Sequence, residues 1–174
     1  MHTHFWRITK YNPANRINGV YEKKEWTSIS DTGNLYPTGE FLIEHYLQTE
    51  LLYIEAIISI LKENNTNLLQ VRDLEKHDLN LLDEKFHYIY SDETKSLYSN
   101  VKNNDYISGD ELKLLCKLIL REKLWCKLQS ENMFVHFGFD YYMYIGSRME
   151  CSSSLEFISN SGLFVECYES PYLE

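Results

Sequence analysis

The chain lacks most of the features that announce a function. Its four cysteines, Cys116, Cys126, Cys151 and Cys167, form no CxxC pair, which suggests free thiols in a reducing compartment rather than a disulfide framework. Three prolines and a hydrophobic fraction of 44% argue against disorder. The most apolar run, Leu51 to Leu61, is broken by Glu55 and Ser59 and is too short to span a bilayer. The opening MHTHFWRITK has neither the basic nor the apolar region of a signal peptide, so a cytoplasmic protein is expected. No Gly-rich phosphate loop, GxSxG, HExxH or paired-carboxylate motif is present, and no catalytic centre, metal or cofactor is expected. Cations are absent after Arg148, whereas Glu150, Glu156, Glu166, Glu169 and Glu174 supply -5 of the formal charge of -9. Grip on a phosphate backbone needs clustered Lys and Arg, so direct nucleic-acid binding is not expected. A basic partner is the better electrostatic match, although a solvated surface is the commoner role of such charge.

At 174 residues the chain is long enough for one domain, residues 1–174, with a core of its own. HFWRITKY reads as a first strand, stopped by Asn12-Pro13. A long punctuated connection follows, with one short strand expected near Glu25 to Ser28. Ile43, Leu47, Leu51, Ile54, Ile58 and Leu61 then recur at helical spacing, predicting a long central helix capped by Thr38 and closed at Asn64-Asn65. Asn67 to Glu75 reads as a strand and Asp92 to Lys102 as a helix. Ser108 and Glu111 form a capping-box pattern ahead of an apolar stripe of Leu112, Leu115 and Ile119. Lys113, Lys117 and Arg121 stand at i, i+4 on its other side and are expected to be solvated. Beyond Trp125 the pattern turns extended, with a short helix over SSSLEFISNSG and a last strand in LFVECYES. The order is that of an α+β fold, a mostly antiparallel sheet packed on a long central helix and two or three further helices.

The segment MFVHFGFDYYMYIG, Met133 to Gly146, holds six aromatic side chains and no Lys or Arg. It alternates with period two, but Gly138 to Tyr141 reads as a turn dividing it into two strands. Most of its aromatics then serve as sheet packing, and base stacking is disfavoured by the missing cations. His136 and Asp140 would lie ~13 Å apart on a continuous strand, at ~3.3 Å per residue, and closer across a turn. They are the candidates for any acid–base pair. The loop EWTSISDTG sets Trp26 beside Ser28, Ser30 and Asp31, which suits either a protein-contacting loop or a buried Trp anchor.

Taken together, ITKYNP, EWTSISDTG, MFVHFGFDYYMYIG and GLFVECYESPY resemble small bacterial immunity-type proteins of polymorphic toxin systems. The resemblance spans most of the chain and includes no catalytic motif. It implies a cytoplasmic protein that neutralises a cognate protein toxin by contact, without a cofactor; basic nucleases are common among such toxins. The expected partner-binding residues are Trp26, Asp31, Asp140, Tyr142, Tyr144, Glu166 and Glu169, with aromatics as anchors and carboxylates as steering and pairing groups. The alternatives are a small-molecule-binding domain or hydrolase-like enzyme with a site around His136 and Asp140, walled by Tyr142 and Tyr144, or a homo-oligomeric structural protein.

Overall fold

The computed structural model describes residues 2–77 and 84–173. Seven strands form one antiparallel sheet: β1 (His4–Thr9), β6 (Leu68–Lys76), β7 (Tyr106–Ser108), β8 (Leu124–Gln129), β9 (Met133–Phe137), β10 (Met143–Ser147) and β11 (Phe164–Cys167), in the order β11-β1-β10-β9-β8-β6-β7. Two small hairpins, β2 (Arg16–Ile17) with β3 (Val20–Tyr21) and β4 (Leu35–Tyr36) with β5 (Gly39–Glu40), occupy the long early connection. The helices are α1 (Ile43–Glu63), α2 (Asp92–Asn100), α3 (Gly109–Leu120) and α4 (Ser152–Asn160). This is the α+β architecture expected, with the 21-residue α1 as its long helix. None of the described helices is long and apolar enough to cross a membrane.

Strand alternation divides the sheet into two unlike faces. Trp6, Ile8, Val71, Leu128, Val135, Met143 and Ile145 point to one side and join Tyr46, Tyr53, Ile57 and Ile60 of α1 in a single core. On the other side Phe5, Arg7, Tyr144, His136, Lys127 and Arg72 follow from the pairings Arg7↔Tyr144, Tyr144↔His136 and Arg72↔Lys127. No helix among the described residues packs on this second face. Residues after β11 cross it instead: Tyr168 N–H donates to the Phe5 carbonyl, Ser170 meets His136, and Tyr172 reaches Trp125. Gly146 lets the Phe134 ring lie flat over the neighbouring strand, since a Cβ there would sit 2.1 Å from a Phe134 ring carbon.

Several local expectations are corrected. Thr38 does not cap α1; it lies in the β4–β5 turn, and Leu42 precedes the helix without a side-chain cap. Glu25 to Ser28 is not a strand. Ser108 stands at the N-cap of α3, but its side chain makes no capping bond. Arg121 does not extend a solvated row. The helix ends at Leu120, Glu122 has φ 58°, and Arg121 turns inward, donating to Glu50 of α1 at 2.6 and 2.7 Å and to the Ile89 carbonyl at 2.8 Å. A two-pronged guanidinium–carboxylate pair is how a helical protein can hold two charges in its interior.

Candidate functional site

The turn between β9 and β10 is the most unusual piece of backbone on the surface. Asp140 and Tyr141 both have positive φ, 56° and 64°. The Tyr142 amide closes the turn on the Phe139 carbonyl at 3.1 Å, and the Gly138 amide bonds the Tyr142 carbonyl at 2.7 Å. Two successive left-handed residues are what a tight hairpin turn demands, but glycine or asparagine normally fills the second. Here a tyrosine does, at a backbone cost of about 1–2 kcal/mol. It is held there from below. Tyr141 is buried, its ring meets those of Trp26, Tyr46 and Tyr53 edge-on at 5.2 to 5.9 Å, and its carbonyl accepts the Tyr53 hydroxyl at 2.7 Å.

The anchoring of Tyr141 leaves Phe139 and Asp140 at the apex. Phe139 is 86% exposed, beyond any other large apolar side chain among the described residues. It forms the rim of a hollow of about 640 Å³ whose apolar wall is Leu124, Trp125, Phe137 and Tyr172, with Glu75 and Glu122 at its mouth. Glu122 also accepts the Ser28 hydroxyl at 3.2 Å, tying the loop before α1 to this end of the sheet. Nearby, Lys10 lies over the Trp26 ring at 4.2 Å and pairs with Glu25 at 3.4 Å. Burial pulls its pKa down to about 8 even though Glu25 opposes the shift.

Of the seven residues expected to bind a partner, most are engaged within the fold. Trp26 is half-buried and stacked on Phe41 at 4.5 Å, the anchor reading of its loop. Asp31 accepts the backbone amides of Thr27 at 2.7 Å and Ser28 at 3.3 Å, completing a capping box with Ser28. Tyr142 accepts from Arg16 at 2.7 Å. Tyr144 is buried beneath Tyr168 and Tyr172. Glu166 is clamped by Arg7 at 2.8 and 3.1 Å and touched by Arg16 at 3.4 Å, so its charge is spent internally. Asp140 and Glu169 are the two that stand exposed. Sequence reasoning missed Phe139, whose place beside a Gly-Phe-Asp turn was the available signal.

His136 and Asp140 are not brought together. His136 is buried on the helix-free face, stacked on Phe134 at 4.2 Å with Nδ1 2.9 Å from the Ser170 hydroxyl, and it lines a cavity of about 350 Å³. Asp140 lies beyond the strand end and lines a separate cleft of about 30 Å³. Burial, reinforced by the Lys127 cation, pushes His136 down to about 4. Cys116 and Cys126 are also buried; Cys126 is pushed up to about 12, and Cys116 higher still, by burial. Neither is a thiolate at neutral pH. No cluster of His, Cys, Asp and Glu able to hold a metal occurs among the described residues.

No family model, curated protein or solved structure matches the chain.

Proposed function

We propose that the chain is an immunity-type protein that binds and neutralises a cognate protein toxin through the end of the sheet around Phe139 and Asp140. The observation that carries this reading is a fully presented aromatic ring at the apex of a turn whose backbone is strained and whose base is bolted into the core. Strain of this kind is kept where the surrounding structure enforces it, and it clusters at binding sites. A ring held on rigid backbone loses little entropy on docking, and its burial in a partner contributes about 1.5–3 kcal/mol. The exposed carboxylates Asp140 and Glu169 add a negative rim that steers a basic partner such as a nuclease. The toxin is met by contact alone, and cytoplasmic action in a bacterium goes with the reading.

The test is co-expression with the products of adjacent reading frames, followed by calorimetric titration of any partner that co-purifies. Phe139→Ala should weaken binding by about 30-fold or more, since about 2 kcal/mol is the mark of an anchor residue. Asp140→Lys should slow association and reduce its dependence on salt. Phe139→Ala should leave melting unchanged because that side chain is exposed, whereas Asp140→Lys, at a positive-φ position, should lower stability by no more than about 1 kcal/mol. A partner that binds both variants as tightly as the parent would remove this surface from consideration.

A further inference from the structure

We propose that the helix-free face of the sheet carries a second site that binds a small organic anion, its charged end on Arg72 and its flat body against the half-buried Tyr172 ring. The cavity of about 350 Å³ lies between the strands and the C-terminal crossing, with His2, Tyr172 and Leu173 on its rim. That volume falls at the small end of ligand pockets and exceeds what a bare inorganic ion fills.

Charge on the cavity wall is arranged in an unusual way. Arg72 and Lys127 stand directly opposite each other on β6 and β8, a like-charge pairing that destabilises a sheet. One extra residue in β6, between Arg72 and Glu75, forms a bulge with Asp73 at φ 54°. The bulge puts the Asp73 carboxylate 3.0 Å from the Lys127 ammonium. Such irregularities re-aim side chains next to sites. Lys127 is thereby neutralised, whereas Arg72 has no ion-pair or hydrogen-bond partner among the described residues. The cavity therefore keeps a surplus of one positive charge, on the planar fork suited to a carboxylate or phosphate.

The rest of the lining fits an aromatic or heteroaromatic body. Phe134 forms a closed floor, its ring packed on Gly146 and stacked on His136, and the half-buried Tyr172 ring supplies the accessible aromatic flank. The Ser170 hydroxyl accepts the Tyr172 amide at 3.2 Å and lies 2.9 Å from His136 Nδ1. His2 Nε2 is buried and unpaired at the same rim. The charged and titratable groups facing the cavity among the described residues are Arg72, Lys127, Asp73, His136, His2 and Tyr172.

The test is a titration of the ¹⁵N-labelled protein with benzoate, phenyl phosphate, inorganic phosphate and benzylamine, following the Arg72 Nε–H resonance. Benzoate or phenyl phosphate should saturate with a Kd of about 1 mM or tighter. Inorganic phosphate should bind at least about tenfold more weakly and benzylamine not at all. Arg72→Gln, at a half-exposed position where folding should be kept, should lose about tenfold or more in affinity, read from the Trp125 indole resonance. Phe139→Ala should bind the anion as the parent does, separating this site from the partner surface. The proposal is overturned by absence of saturation with both organic anions, by equal binding of inorganic phosphate, or by undiminished affinity in a folded Arg72→Gln protein.

Discussion

His136 is a base that the fold keeps uncharged. Its ring is enclosed by Phe134, Tyr172 and Ser170, and burial together with the Lys127 cation lowers its pKa from 6.5 to about 4. Between those two values the unfolded chain binds the proton and the folded chain does not. Stability therefore rises with pH across that window, and acidification from neutral pH to about 4 withdraws up to about 3 kcal/mol through this residue alone. Urea unfolding at about pH 7 and about pH 4.5 should show the loss in the parent and a clearly smaller loss in His136→Gln, which can still bond Ser170. Equal acid sensitivity in the two proteins would place the titrating group elsewhere.

At the scale of elements, the β9–β10 turn sets a local conformational cost against tertiary anchoring. Asp140→Gly should relieve left-handed strain and raise stability by up to about 1 kcal/mol, as read by thermal and urea unfolding. Tyr141→Gly removes more strain but also a buried ring that meets Trp26, Tyr46 and Tyr53, a loss of about 3–5 kcal/mol, so it should destabilise by about 2 kcal/mol or more. An equal response of the two variants would contradict the anchoring role of Tyr141. The turn itself was legible in the sequence, because Gly and Asp mark turns whatever surrounds them. So were the existence of α1 and its end at Asn64, but not its buried face: Leu51 on the expected stripe is 52% exposed, Ile43, Leu47 and Ile58 are only partly covered, and Tyr46, Tyr53, Ile57 and Ile60 turn to the core instead. Its start was not, because Thr38 is as good a turn residue as a cap and the choice was made by the β4–β5 hairpin. Arg121 continued an i, i+4 row on paper, yet its direction depends on where α3 stops and on Glu50, 71 positions away. The partner-binding set met the same obstacle. Glu166 looks like free negative charge until Arg7, 159 positions earlier, is seen to hold it. Exposure of a given tyrosine is a property of the assembled sheet and of the chain that crosses it, not of local pattern.

Over the whole molecule, tyrosine makes alkaline pH the condition that opens the fold. The aromatic centre joining α1, β10 and the early loop contains Tyr11, Tyr46, Tyr53 and Tyr141, all buried, and burial raises each pKa far above the ordinary value of 10. Tyr21 and Tyr90 are raised to about 12. Above pH 10 the unfolded chain releases these protons and the folded chain keeps them, so stability falls as pH rises. Four fully protected tyrosines cost together about 5 kcal/mol by about pH 11, which approaches the entire stability of a small domain. Lys10 acts in the opposite sense over a lower window. With its folded pKa near 8 against 10.5 unfolded, the folded chain holds fewer protons there, and stability gains as pH climbs between the two. The net curve should thus hold or rise to about pH 10 and then drop steeply. Absorbance at about 295 nm should resolve two populations, exposed tyrosines titrating reversibly near pH 10 and a second group that ionises only in one cooperative step with loss of near-ultraviolet dichroism. Lys10→Met should remove the gain below about pH 10 while leaving the steep step in place. Smooth, independent titration of all fourteen tyrosines would mean that the aromatic centre is open to water, and with it the support beneath Phe139 would be lost.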